Sequence, residues 1–93
     1  MTMTMTEARA RLTAAVDGYD ADSLADLRRL ARSLKIPQRG ITTYKPPHDA
    51  WEVWDGNRGG GCEYYARSAR SAVEAKAEYL HQLIAAAIDE MGD

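Results

Sequence analysis

The chain has 93 residues, 45% of them hydrophobic and 28% charged, with a formal net charge of −2 at pH 7. These are the dimensions of one small globular domain. No run of eighteen apolar residues and no basic-then-apolar leader is present, so neither a membrane span nor a secretory signal is expected and the expected location is cytoplasmic. A single cysteine, Cys62, excludes an internal disulfide. With only His48 and His81 beside it there is no zinc-ligand spacing, and neither a metal nor another cofactor is expected.

Thr4-Met-Thr-Glu7 has the form of a capping box, and Ala8, Leu12, Ala15 and Val16 then recur with helical spacing, which predicts a first helix over 6–17. Asp20, Asp22 and Ser23 offer N-caps for a second, with Asp26 placed where negative charge suits the helix dipole. Leu24, Leu27, Leu30, Ala31 and Leu34 form one apolar stripe, so this helix is predicted over 23–35, closed by Ile36-Pro37. The short connection between the two predicts a helical hairpin.

Between Gly40 and Gly61 the pattern changes to β-branched and aromatic residues. Ile41-Thr-Thr-Tyr44 and Trp51-Glu-Val-Trp54 predict short strands within 41–54, the second with Trp51 and Val53 on one face and Glu52 and Trp54 on the other. The alternative is a short helix opened by Pro46-Pro47. Residues 55–61 are expected to form a glycine loop. From 63 to 91 no residue breaks a helix, which predicts one long helix of about 42 Å at 1.5 Å per residue. The predicted fold is therefore mainly α with a small β-hairpin, one domain over 1–93.

Val73, Ala77, Leu80, Ile84, Ala87 and Met91 alternate four and three apart like a coiled-coil seam, and Tyr65, Ala69, Ala72, Tyr79, Leu83 and Ala86 run beside it. Together they span an apolar arc of roughly 200°, wider than the ~100° stripe of a helix with one neighbour. Two helices of about 12 and 13 residues reach only about 18–20 Å and leave half of a 42 Å helix uncovered. The expected protein interface is accordingly Val73, Ala77, Leu80, Leu83, Ile84, Ala87, Ile88 and Met91, meeting a second copy or a helical partner. A chain this short supplies only a few kcal/mol from its own core, which favours the same expectation.

A second candidate surface is cationic. Residues 27–48 hold six cations and no acid, so the remainder of the chain stands at −8. Arg28, Arg29, Arg32 and Lys35 fall on one side of the second helix, with Arg39 and Lys45 just after it; such a stripe can lie along phosphates while Trp51 and Trp54 stack on bases. An acidic protein surface would satisfy it equally. The pattern Leu24-x-x-Leu27-Arg28-x-x-Ala31-x-x-Leu34-x-Ile36 followed by Gly40 resembles the first helix and loop of SAP-type and Rho N-terminal helix-extended-helix modules. That resemblance covers about 17 residues and implies nucleic-acid binding and a second helix starting at Pro46-Pro47.

Other motifs weigh less. Gly56 and Gly61 have the spacing of a phosphate loop, but Cys62 and Glu63 stand where its lysine and hydroxyl belong, leaving at most an anion site of glycine amides and Arg58 at a helix N-terminus. Cys62 near a helix start, with His48-Asp49 as base and orienter, is the one arrangement suggesting catalysis. Nothing in the spacing brings them together, so no enzyme and no small-molecule substrate are expected. His81, one turn from Glu78, reads as a solvated ion-pair member. Sixteen alanines and an arginine-to-lysine ratio of 9 to 3 are the coding usage of a GC-rich bacterium or its phage. The function expected is a non-catalytic interaction protein, such as a phage-encoded modulator of a host protein, with nucleic-acid binding as the alternative.

Overall fold

The computed structural model describes residues 4–14, 20–59 and 61–91. In chain order its elements are α1 (Met5–Ala14), α2 (Ala21–Ser33), β1 (Ile41–Tyr44), β2 (Trp51–Asp55), β3 (Cys62–Ala66) and α3 (Ala72–Met91). The protein is mainly α with a small antiparallel sheet, in agreement with the expected fold class.

Both N-terminal helices are opened by caps that the sequence offers, one and two residues ahead of the expected starts at 6 and 23. The Thr4 hydroxyl accepts from the Glu7 N–H at 3.1 Å, and the Asp20 carboxylate accepts from the Ser23 N–H at 2.9 Å. That second bond holds the Asp20 carboxyl below its ordinary range. α1 buries Ala8 and Leu12, while Ala15 and Val16 lie outside the described residues. α2 buries Leu24, Leu27, Leu30 and Ala31. It ends in a Schellman motif: the Ile36 N–H donates to the Ala31 carbonyl at 2.9 Å, and the Lys35 N–H to Arg32 at 3.1 Å. The residue that makes this turn is Lys35, at φ 59°, where glycine is the usual occupant.

The three strands form an antiparallel sheet in the order β1-β2-β3. Ile41 faces Asp55 and Tyr44 faces Glu52 across the first pair, and Val53 faces Tyr64 across the second. Residues 46–49 are a turn between strands, so the short-helix alternative does not form there. Nor does the second helix implied by the resemblance to helix-extended-helix modules. Alternation along β2 falls as expected, with Val53 and Asp55 fully buried and Trp51 against the core, while Glu52 and Trp54 point to the other face.

The long helix predicted over 63–91 is shorter by nine residues. Cys62–Ala66 is the third strand, because Tyr64 and Tyr65 fit a pleated, half-buried surface and Ala66 closes against Trp51. The helix begins after Ser71, whose hydroxyl accepts from the Glu74 N–H at 3.2 Å while the Glu74 carboxylate turns back to the Arg70 N–H. Ser71-Ala-Val-Glu74 thus has the sequence of a capping box, its return bond made one residue earlier at Arg70, in the middle of what reads as an unbroken helix. Twenty residues make about 30 Å instead of 42 Å.

α3 touches every other element, and α1 and α2 pack on it and on each other. Its buried residues Ala75, Ala77, Tyr79, Leu80, Leu83, Ile84 and Ile88 span an arc of about 220° at 100° per residue. The sheet covers one side of the arc and the two N-terminal helices cover the other. On the sheet side the Tyr79 hydroxyl donates to Asp55 Oδ2 at 2.7 Å. Asp55 is 0% exposed, and its Oδ1 accepts from the Asn57 backbone and side-chain amides, each at 3.0 Å. Beside it the Gly40 carbonyl accepts from the Gly56 N–H at 2.9 Å. A Cβ on Gly40 would stand 3.0 Å from that nitrogen and 3.1 Å from the Asn57 backbone nitrogen, so a side chain there would push the two segments apart by a few tenths of an ångström. His81 is half-buried instead of solvated as its spacing predicts, and that burial lowers its pKa.

Two measurements check this packing. Burial, then the hydrogen bond to Asp55 and the charge of Asp55, raise the Tyr79 pKa above its ordinary 10.0. Above about pH 10 the unfolded chain therefore releases a proton that the folded protein retains, and stability falls as pH rises. Tyr79→Phe is expected to lose about 1–3 kcal/mol at pH 8 by leaving Asp55 Oδ2 without its donor, and to flatten the decline of the urea midpoint between pH 9 and 11. Conversely, Lys35→Gly relieves the left-handed backbone and is expected to gain about 1 kcal/mol, read as a higher denaturation midpoint at unchanged helix content.

Candidate functional site

The helical side of the fold is closed. Ala77, Leu80, Leu83, Ile84 and Ile88, five of the eight residues expected to meet a partner, are internal core of the single chain. Ala87 is half-buried, and only Val73 and Met91, at opposite ends of α3, are exposed. The wide arc has several neighbours, and they are α1, α2 and the sheet of the same molecule. Tyr65 and Ala69, expected on the second apolar line, lie outside α3 altogether.

The outer face of the sheet is open instead. Among the described residues no helix packs on it, and two cross-strand rows are displayed there: Thr42, Trp54 and Cys62 in one, Tyr44, Glu52 and Tyr65 in the other. Tyr44 is 56% exposed and Tyr65 51%. Glu52 therefore has a tyrosine on each side and Trp54 next along its own strand, whose Nε1–H donates to Glu52 Oε1 at 3.1 Å. Directly opposed residues sit about 4.5–5.5 Å apart at Cβ, close enough for all three rings to border one carboxylate. The Tyr65 hydroxyl is pushed up in pKa by the neighbouring Cys62 sulfur, through hydrogen bonding and the negative charge of its thiolate form, and by Glu52. The signal for this face was present in the alternation around Trp54; the pairing with Tyr65 was hidden by the helical reading of 63–66.

A second surface is a groove of about 680 Å³ where α2, the α2–β1 connection and α3 meet. It gathers Arg28 and Arg32 from α2, Arg39 from the connection and Lys76 from α3, over Ile36, Pro37 and Ile41, with Gln38 and Asn57 at its walls. Gln38 ties the connection back to the helix by donating to the Arg28 carbonyl at 3.0 Å. Three of the six cations singled out in the sequence are thus brought together, and Lys76 joins them from 37 residues beyond Arg39. The other three are not: Arg29 pairs with Asp26, Lys35 occupies the exposed helix-ending turn, and Lys45 donates to the Asp49 carbonyl at 2.6 Å beside the β1–β2 turn. Neither Trp51, packed against the core, nor Trp54, on the outer sheet face, lines the groove.

The remaining motifs come apart. Residues 56–61 join β2 to β3, so their amides do not stand at a helix N-terminus, and Gly60 lies outside the described residues. Cys62 pairs with Trp54 at one end of the sheet, while His48 is in the turn at the other, so the suspected dyad does not assemble and no helix dipole acts on the thiol. Among the described residues no cluster of three metal-ligating side chains exists, and no helix is long and apolar enough to cross a membrane. Comparison with protein-family models, with curated proteins and with solved structures gives no match to this chain.

Proposed function

We propose that the protein is a non-catalytic interaction module that docks on another protein through the outer face of its sheet. The observation that supports this reading is the row Tyr44-Glu52-Tyr65 with Trp54 alongside, a carboxylate hydrogen-bonded to Trp54 and paired across the strands with two tyrosines, on a face that no helix among the described residues covers. Aromatic residues are the usual anchors of interfaces because they bury large area at low entropic cost. A carboxylate among them selects a cation, since a lysine or arginine meets both the negative charge and the ring faces. The partner is therefore a protein presenting a basic side chain from an apolar surround. A second copy stacked face to face is disfavoured, because it would bring Glu52 against Glu52. Docking of this kind suits a small modulator that works by covering a site on a larger protein, and the coding usage fits a phage origin for it.

The test is affinity capture from lysate of the source cells, with nuclease added, using wild type, Tyr44→Ser with Tyr65→Ser, and Glu52→Gln. A protein retained by the wild type is expected to be lost by the double variant, because truncating such anchors costs about 2 kcal/mol or more, roughly thirty-fold in affinity. It should be weakened by Glu52→Gln in a salt-dependent way. Capture indifferent to all three substitutions would refute the sheet face, and a dimer in sedimentation that the double variant dissolves would replace the foreign partner with a second copy.

A further inference from the structure

We infer that the groove between α2 and α3 is a second, independent binding site, and that its ligand is the phosphate backbone of a double-stranded nucleic acid. The argument starts from charge that the protein leaves uncompensated. Among the described residues no carboxylate lies within ion-pair distance of Arg28, Arg32, Arg39 or Lys76. The acids that flank these cations in sequence are engaged elsewhere. Asp26 is held by Arg29, Glu74 by Arg70 at 3.6 Å, and Glu78 accepts from the Tyr64 hydroxyl at 2.9 Å. Four like charges from three separate elements around one concave surface repel one another, and folding this way is tolerable only because solvent, or an anion, screens them.

The form of the groove selects the ligand. Around the apolar floor of Ile36, Pro37 and Ile41 its walls are cations and two amides, with no acid and no aromatic ring. Single-stranded nucleic acid is held chiefly by bases stacking on aromatic side chains, and among the described residues the aromatic ones are on the far side of the sheet or packed against its core. A surface that offers charge without a stacking platform reads the phosphates of a duplex, whose bases are already stacked on each other. Arg28 and Arg32 stand one turn apart along α2, about 6 Å in rise, and so address successive positions of a strand instead of converging on one group. Arg39 and Lys76 extend the track across the connection to α3. The overall charge of −2 does not oppose this, because Glu52 and Glu63 belong to β2 and β3 and Asp89 and Glu90 to the last turn of α3, while none of them lines the groove.

The experiment is fluorescence polarisation of a labelled 20-base-pair duplex of arbitrary sequence, titrated with the full chain at several salt concentrations. Four neutralised phosphates predict a slope of about −3.6 in log affinity against log salt, a loss of roughly 150-fold between 50 and 200 mM. Arg32→Gln or Lys76→Gln is expected to reduce the slope by about one, so that the loss falls to roughly 40-fold, while Lys45→Gln, outside the groove, leaves it unchanged. Circular dichroism on each variant confirms folding, and all three positions are at the surface or half-buried. Absence of duplex binding at 50 mM salt overturns the proposal. So does binding that the groove variants leave intact, tighter binding of a single strand of equal length, or saturable binding of a free nucleoside triphosphate without the duplex. Failure of the sheet-face captures has no bearing on any of these readings, since the two surfaces share no residue.

Discussion

α3 must be buried on two sides at once, and most of the architecture answers that requirement. Its apolar arc covers more than half of its circumference, and no single neighbour can hide it. The sheet takes one flank and α1 with α2 the other, so α3 becomes a middle layer that every other element touches. The polar lock on the sheet flank is the bond from Tyr79 to Asp55, which joins α3 to the end of β2 across 24 residues. A fully buried carboxylate is costly unless its lone pairs are used, and Tyr79 together with both Asn57 amides uses them. The same carboxylate shapes the start of the β2–β3 loop, so the hairpin and the helix are fixed by one group.

Placing the helix in the middle decides which surfaces remain for partners. Most of the apolar side chains that sequence periodicity offers to another molecule are consumed inside, and apart from Val73 and Met91 what α3 and the sheet leave outside is mainly polar, charged or aromatic. Those groups divide by sign. The outer sheet face centres on Glu52 among three rings, whereas the groove beside α2 holds four cations without a carboxylate. The separation follows from topology. Inner-facing residues of the strands meet α3, so the outer-facing ones cannot, and the cationic face of α2 meets the connection and the first turns of α3 at the rim of the helical layer.

Helix starts were legible wherever a side chain caps the backbone locally. Thr4 and Asp20 do so within three residues, and their bonds are seen. Strand alternation around Trp51 and Trp54 was legible for the same reason, since a period of two needs only neighbours. The misreading of 63–71 shows the limit. Tyr64, Tyr65 and Ala66 tolerate helix or strand, and the choice between them is made by Val53, Glu52 and Trp51 across the sheet. The Ser71-Glu74 capping box was the local sign of the true start, overshadowed by a continuous run of good helix formers.

From the sequence alone follow the class of fold, the caps, the amphipathic faces and the location of the excess positive charge, because each depends on residues a few positions apart. Tertiary structure alone decided what those faces meet. The arc of α3 became core because two helices and a sheet are distant in sequence but close in space. Lys76 joined Arg28, Arg32 and Arg39 because α3 crosses beside α2, and Tyr44 and Tyr65 came to flank Glu52 because two strand pairings set their register. Contacts between segments tens of residues apart depend on how the whole apolar surface is shared out, and no local pattern in the chain encodes that division.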